Sequence, residues 1–115
     1  MNIMKIIISE TFQKKFLNKL NKYFTIKDLI NELSKEKFNI VLKRPFYKLK
    51  FKINLVEFRW VVLIIQNEKI IPLILYLKKD KKNWENIRWN EYENMILEMQ
   101  YQTSKDLENW NFKIF

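Results

Sequence analysis

Three lysines at alternate positions are the residues of this chain best placed to do chemistry. They lie in the segment Tyr47–Ile53, where alternation at period two puts Lys48, Lys50 and Lys52 on one face of a strand. Same-face neighbours in a strand are roughly 7 Å apart, so the three ammonium groups repel each other and add no stability. The pattern predicts a site for a polyanion, with RNA as the first candidate. The alternative is an exposed edge strand whose lysines prevent aggregation.

The placement of the positive charge is more informative than its total. The chain has 115 residues and a net charge of +9, which indicates an acidic partner such as nucleic acid, an anionic membrane surface or an acidic protein. Most of the basic residues are Lys, and a low-GC coding bias would also raise their number. The length and the apolar fraction of 48% predict one globular domain over residues 1–115.

Three residue types are missing, and each absence excludes a class of site. The chain has no Cys, no His and no Gly. Without Cys there are no disulfides, thiolate metal sites or cysteine nucleophiles, which fits a reducing cytoplasm. Without His the usual general base is missing, and without Gly neither a P-loop nor a dinucleotide fingerprint can form. We therefore predict no cofactor and no metal ion, and any catalysis would use Lys, Arg, Tyr, Asp or Glu.

Hydrophobic periodicity predicts an α+β fold with a small, antiparallel-rich sheet and the order β-α-α-β-β-β-α. Ser9 is placed to cap the first helix, and Thr25 with Asp28 to cap the second. A third helix is expected to begin near Asn90, and residues 104–115 to form a last helical turn and an extended tail. The predicted strands are Ile3–Ile8, Phe46–Ile53, Glu57–Gln66 and Lys69–Leu77.

The last two predicted strands have apolar interiors, Val61–Ile65 and Ile70–Leu75, as expected of central strands in a covered sheet. Asn67–Glu68 between them predicts a tight hairpin, and Pro72 predicts a bulge or an edge position. Both apolar runs are far shorter than the roughly 20 residues of a membrane span, so no membrane segment is expected.

A second basic segment follows the last predicted strand, and its lysines are Lys78, Lys79, Lys81 and Lys82. In an antiparallel meander, the end of that strand lies near the start of its partner, where Arg59 stands. We therefore expect this segment and the residues from Lys43 and Arg44 to Arg59 to converge on one concave face. Nearby aromatic rings could stack on bases; they are Tyr47, Trp60, Tyr76, Trp84 and Trp89. Of these, Trp60 and Tyr76 fit the core better than a stacking role.

The chain resembles the RelE/ParE superfamily of bacterial toxins from toxin–antitoxin pairs. The order of elements matches up to about residue 100, and short segments carry the resemblance. They are Tyr47–Lys50, similar to the basic strand of RelE-like ribonucleases; Phe58–Val62, similar to their aromatic–Arg–apolar strand start; Lys69–Ile74; and Leu77–Asn83, similar to their basic loop.

The resemblance implies an endoribonuclease that cleaves mRNA on the ribosome and inhibits translation. In that reaction a ribose 2′-OH attacks the adjacent phosphate and expels the 5′-oxygen of the next nucleotide. Lys50 would be the general base with Lys48 beside it, Arg59 would stabilise charge on the phosphate, and Lys79 or Lys81 would take the place of an Arg in relatives. The remaining RNA-binding candidates are Lys52, Arg44, Lys78, Lys82 and Trp84. The implied partners are an acidic antitoxin, the ribosome and mRNA.

The sequence departs from the family at two points. Trp84 stands where some relatives have a Tyr, and it can stack on a base but cannot donate a phenolic proton. Lys in the basic loop replaces a bidentate Arg with a point charge, which holds a phosphate less firmly. Two alternatives remain: a ParE-like toxin that acts on DNA gyrase without nuclease activity, and a basic nucleic-acid-binding module without catalysis.

Overall fold

The computed structural model describes residues 5–35, 41–43, 45–65, 69–77 and 89–115, and it has the predicted α+β class. The strands in these ranges are β1 (Lys5–Ser9), β2 (Val41–Lys43), β3 (Phe46–Ile53), β4 (Val56–Ile65), β5 (Lys69–Leu77) and β6 (Phe112–Ile114). The helices are α1, which joins the consecutive segments Glu10–Phe12, Gln13–Leu17 and Asn18–Leu20, then α2 (Ile26–Lys35) and α3 (Trp89–Glu108).

The strands of the described ranges form one sheet in the order β2-β3-β4-β5-β1-β6. Only β1 and β5 are parallel among its neighbouring pairs, so the sheet is mostly antiparallel, as predicted. The predicted order β-α-α-β-β-β-α is wrong, because it omits β2 and β6. Each of these strands has 3 residues, and so short a segment shows no period-two pattern. Pairing with β3 and β1 is what makes them strands.

The central strands β4 and β5 are covered on both faces, which confirms the interpretation of their apolar interiors. Val61–Ile64 and Ile70–Leu75 are buried at every position. A strand with solvent on one face would alternate, so the unbroken burial reflects packing on both sides of the sheet. These residues belong to one core cluster that also includes residues of all three helices.

Pro72 lies at a bulge in β5, as its position predicted. Val61 is opposite Ile74 and the next residue, Val62, is opposite Pro72, so Leu73 is the extra residue on the β5 side. Proline has no N–H for a ladder hydrogen bond, and a bulge is one of the few places where a sheet accepts it.

The helix α1 starts directly at the end of β1, and Ser9 is its N-cap, as predicted. The backbone N–H of Phe12 donates to Ser9 Oγ at 3.1 Å, and the Ser9 side chain is buried. Gln13–Leu17 in the middle of α1 is π-helical, which the sequence pattern did not indicate. Phe16 and Leu17 within this segment and Phe12 just before it are buried, so the apolar side of α1 still faces the core.

Replacement of Ser9 by Ala should lower the free energy of unfolding by about 1–2 kcal/mol, because the buried N–H of Phe12 loses its acceptor. Chemical denaturation of the purified chain measures this directly. The matched control is Ser104→Ala, since Ser104 is exposed and its hydroxyl only donates to the carbonyl of Gln100 within α3. Equal effects of the two substitutions would contradict the capping role of Ser9.

The helix α2 begins with the predicted capping box. The N–H of Thr25 donates to Asp28 Oδ2 at 3.0 Å, and the N–H of Asp28 donates to Thr25 Oγ1 at 3.2 Å. The hydrogen bond from the Thr25 backbone, followed by the one with its side chain, lowers the pKa of the Asp28 carboxyl below its usual value. Leu29 and Leu33, four residues apart, are buried on one side of α2, with Ile26 and Ile30 packed against the core.

The helix α3 ends at Glu108, so residues 104–108 form its last turn, as predicted. The segment that follows contains the strand β6. Ile96, Met99 and Thr103, spaced by three and four residues, are buried on one stripe of the helix. After Glu108 the chain turns at Trp110, which has a positive φ of 61°, and β6 then pairs antiparallel with β1. No helix in the described ranges is long and apolar enough to cross a membrane.

The turn between β3 and β4 consists of Asn54 and Leu55, both with positive φ, at 51° and 68°. Two central residues of this kind make a type I′ turn, which matches the twist of a hairpin and favours Asn-Gly. Asn accepts this conformation, but Leu brings its Cβ close to the backbone at a cost of roughly 1–2 kcal/mol. Since the Leu55 side chain is 96% exposed, it gains no burial in return.

Leu55→Gly should therefore raise the free energy of unfolding by about 0.5–1 kcal/mol, the relief of strain being partly offset by the entropy of Gly in the unfolded chain. Thermal and chemical denaturation both report it. The control is Leu97→Gly, an exposed leucine inside α3, where the same change should be destabilising by about 1 kcal/mol. A loss of stability at both positions would contradict the strain at Leu55.

Candidate functional site

The hairpin of β3 and β4 brings the predicted cations of both strands onto one face of the sheet. Residues directly opposite each other share a face, and the register places Lys50 opposite Arg59 and Lys52 opposite Glu57. Lys48, two residues before Lys50, lies on the same face opposite Val61. We call the five charged side chains on this face the basic face; they are Lys48, Lys50, Lys52, Glu57 and Arg59. It contains four cations and one carboxylate.

The four cations of the basic face differ in exposure. Lys50 and Lys52 are exposed, Lys48 is half-buried, and Arg59 is buried. Towards the other end of the hairpin, Phe46 and Leu63 occupy the same face and both are buried. The period-two prediction of one lysine face is therefore confirmed, and solvent reaches it mainly at the end near the Asn54–Leu55 turn.

Arg59 makes an ion pair with Glu57 on its own strand. Arg59 Nη1 lies 3.0 Å from Glu57 Oε1, and the two side chains are 7% and 21% exposed. Residues two apart on a strand point the same way, so the spacing of Glu57 and Arg59 was the signal that could have found this pair. A phosphate that approaches the basic face therefore meets Lys50 and Lys52 first, and it would have to share Arg59 with Glu57.

Like charges directly opposite each other in a sheet are destabilising by about 0.2–1 kcal/mol. Lys50 and Arg59 are such a pair, and Glu57, which pairs with Arg59 and lies opposite Lys52, offsets repulsion on this face. The face still carries four cations against one carboxylate. This is the electrostatic condition for binding an anion, because a bound phosphate would relieve the repulsion.

An aromatic cluster supports the basic face from the opposite side of the same two strands. Phe51 and Phe58 are opposite each other and stack at 4.9 Å between ring centroids. Phe24, which follows α1, packs edge-on against Phe58 at 5.1 Å, and Trp60 lies 5.0 Å from Phe51. These rings interleave with the cations along β3 and β4, so they hold the backbone that positions Lys50 and Arg59.

The burial of Trp60 excludes it from base stacking. Its side chain is 0% exposed and belongs to the core, as the sequence predicted. Tyr47 and Tyr76 are half-buried and remain at the edges of the core. Trp84 and the side chain of Trp89 lie outside the part of the chain that the structure describes.

The end of β5 lies beside the basic face, as the meander predicted. Tyr76 is opposite Arg59, and Leu77, the last residue of β5, is opposite Phe58. The other predicted site residues lie outside the described residues, so their convergence with the basic face stays a prediction. They are Arg44, Lys78, Lys79, Lys81, Lys82 and Trp84.

Comparisons with protein-family models, with curated proteins and with solved structures found no match to this chain. The resemblance to the RelE/ParE superfamily therefore remains an interpretation of the sequence. The structure shows the basic face, in which Lys50 and Lys52 are exposed and Lys48 is half-buried. Arg59 is buried and makes an ion pair with Glu57.

Proposed function

We propose that this protein is a RelE-like, ribosome-dependent endoribonuclease that cleaves mRNA and so inhibits translation. The observation that carries the proposal is the register that places Lys50 directly opposite Arg59, with Lys52 exposed next to them. RNA has one phosphate per nucleotide, and a row of cations on a sheet supplies sequence-independent binding to such a backbone. The absence of His from the chain leaves Lys as the base closest to a bound phosphate.

The proposed reaction needs one base and one group that stabilises negative charge. Lys50 would take the proton of a ribose 2′-OH, and the 2′-oxygen would attack the adjacent phosphorus. The bond to the 5′-oxygen of the next nucleotide breaks, leaving a 2′,3′-cyclic phosphate and a 5′-hydroxyl after protonation of the leaving oxygen. Arg59 and Lys48 would stabilise the charge on the phosphate oxygens.

The proposed partners follow from the same charge distribution. An acidic antitoxin would bind the basic face and block it, because carboxylates on a helix or strand can replace RNA phosphates at Lys50 and Lys52. The ribosome would supply the mRNA in the conformation needed for in-line attack, since the described part of the basic face offers an open surface rather than an enclosed site. Positioning of this kind can account for a large part of a rate enhancement.

A second candidate function is RNA binding without cleavage, and the ion pair of Arg59 with Glu57 favours it. A guanidinium that is 7% exposed and already paired contributes less to a phosphate than a free one would. In this case the lysines would contact phosphates, affinity would fall steeply with salt, and no bond would break.

The test is induction of the protein in a bacterial host, followed by growth measurement and mapping of transcript 5′-ends. The nuclease proposal expects growth arrest and new ends with 5′-hydroxyls inside translated regions. A reporter transcript without a start codon is the matched control, and it should stay intact because it does not reach the ribosome as mRNA. Growth arrest with intact transcripts would overturn the nuclease proposal, and binding of purified protein to single-stranded RNA would then identify the second candidate.

A further inference from the structure

A cleft separate from the basic face lies between α1, α3 and the end of β5. It has a volume of about 580 Å³. The pairing of β1 with β5 accounts for the space that the cleft occupies. β1 pairs with β5 only through Lys5–Lys69 and Ile6–Ile70, so within the described residues no strand other than β4 lies beside β5 after Ile70. The two helices flank the edge of β5 that is left uncovered.

The helices α1 and α3 also meet outside the cleft. The N–H of Thr11 near the start of α1 donates to Asp106 Oδ2 near the end of α3 at 2.8 Å. The cleft lies between the other halves of these helices, where Tyr23 and Met95 are among its lining residues. A cleft of this volume suits a small molecule. Pockets for such ligands are usually about 300–1,000 Å³.

The inner wall of the cleft is apolar and partly aromatic. Phe16, Leu20 and Tyr23 of α1 and the turn after it lie on one side, and Met95 and Met99 of α3 on the other. The ring of Phe16 packs edge-on against Tyr76 at 5.6 Å, which joins α1 to β5. The Tyr76 hydroxyl contacts Met95 Sδ at 3.4 Å, which joins β5 to α3. Aromatic rings and methionines adapt to flat apolar groups.

The rim of the cleft is positively charged. Lys15, Lys19 and Lys22 line it from the side of α1, whereas Glu98 is its acidic residue on α3. The three lysines are exposed, and each immediately precedes one of the wall residues Phe16, Leu20 and Tyr23. An occupant with an apolar body and a negative group would match both the wall and the rim.

The backbone of α1 is irregular at this cleft. The π-helical segment Gln13–Leu17 includes Lys15 and Phe16, which line the cleft with their charge and their ring. Single π-helical turns are rare, and they occur frequently at functional sites. Within this segment Lys15 is exposed at the rim, whereas the next residue, Phe16, is buried in the wall.

We propose that this cleft binds a small organic anion with an aromatic or apolar body and one carboxylate, sulfonate or phosphate group. The body occupies the wall of Phe16, Leu20 and Met99, and the anionic group contacts Lys15, Lys19 and Lys22. This site goes beyond the proposed function and does not depend on it, because none of its lysines belongs to the basic face.

The test uses two fluorescent probes with the same ring system. 8-Anilinonaphthalene-1-sulfonate has the negative group, and N-phenyl-1-naphthylamine lacks it. Titration of the full chain should show saturable binding of one sulfonate per chain, tighter than binding of the neutral amine by about tenfold, which corresponds to about 1.4 kcal/mol. Binding that does not saturate, or equal affinity for both probes, would overturn the proposal.

Two triple variants locate the charge. Replacing Lys15, Lys19 and Lys22 by Gln should weaken sulfonate binding about tenfold and leave the neutral probe unchanged. Replacing Lys27, Lys69 and Lys113 by Gln removes the same net charge from exposed positions elsewhere and should change neither. Equal weakening by both triples would show that only the overall charge attracts the sulfonate, which also overturns the proposal.

A third variant tests the wall. Met95→Trp should fill the cleft and weaken both probes, with a thermal melt to verify that the chain stays folded. Should Met95→Trp unfold the chain, Leu20→Met provides a volume-conserving change that should alter affinity for both probes with the fold retained. Unchanged affinity in the folded wall variant would exclude this cleft as the site. RNA binding by these variants should equal that of the parent chain, so failure here is distinguishable from failure of the nuclease proposal.

Discussion

Replacement of Lys50 by Arg is expected to reduce the rate of RNA cleavage by about 100- to 10,000-fold, the usual contribution of a general base. Arg keeps the positive charge but does not lose its proton in proteins, so it can contact a phosphate and cannot act as the base. Affinity for RNA should therefore stay close to that of the parent chain. Cleavage of a translated transcript, together with filter binding of purified protein, separates the two effects.

Lys50→Ala completes the comparison. It should remove the base and one phosphate contact, so cleavage falls as in Lys50→Arg while the dependence of log affinity on log salt becomes less steep by about 0.7 for a single strand. The control is Lys69→Ala, an exposed lysine at the start of β5 opposite Ile65. Cleavage that falls only as much as affinity does, in either Lys50 variant, would contradict a catalytic role and favour the binding module.

Stability provides a check on the same variants. Lys50 is exposed and lies opposite Arg59, so Lys50→Ala removes a repulsion of about 0.2–1 kcal/mol and should leave the free energy of unfolding unchanged or slightly raised. A loss of activity in this variant could not then be attributed to unfolding. A clear loss of stability would instead indicate that Lys50 has a structural role in the hairpin.

Phe58→Ala is expected to lower the free energy of unfolding by about 3–5 kcal/mol. The Phe58 side chain is 0% exposed, and it stacks on Phe51 and contacts Phe24 edge-on, so its removal leaves a cavity between the sheet and the chain after α1. A domain of this size has about 5–15 kcal/mol of stability in total. The variant should therefore melt at a much lower temperature and lose part of its folded population.

The functional consequence of Phe58→Ala distinguishes support of the basic face from general destabilisation. Phe58 is next to both Glu57 and Arg59 in β4, so affinity for RNA should fall even at temperatures where circular dichroism shows a folded chain. Phe115→Ala is the control, because Phe115 is partly exposed and its backbone bonds to Ile6 do not require the ring. Surface changes of this type usually stay within about 0.5 kcal/mol. Unaltered affinity in the folded Phe58 variant would exclude the aromatic cluster as support.

Much of the fold followed from local patterns, since each pattern has a short-range physical cause. Alternation in Phe46–Ile53 and the apolar runs of β4 and β5 predicted strands, because a strand presents successive side chains to opposite faces. Ser9, Thr25 and Asp28 predicted helix starts, because their side-chain oxygens accept from free backbone N–H groups nearby in the chain. The position of Pro72 predicted the bulge, because proline has no N–H to donate.

The features that the sequence did not predict depend on contacts beyond any local pattern. β2 and β6 are strands because they pair with β3 and β1, the second pair joining opposite ends of the chain, and 3 residues are too few to show a period. The spacing of Glu57 and Arg59 could have predicted their ion pair, but it could not have predicted that the pair is largely buried. Three exposed lysines of α1 and the turn after it line the cleft, but their positions in the sequence do not show that α3 completes it.

By itself, the sequence determined that cations share one face of a strand, because the side-chain period of a strand is a property of every extended chain. It also determined which sites are excluded, since missing Cys, His and Gly cannot be replaced by folding. Only the tertiary structure decided that Lys50 stands opposite Arg59, that Glu57 pairs with the arginine, and that α1 and α3 enclose a cleft. Register and helix packing depend on the burial of the whole core, and no short segment contains that information.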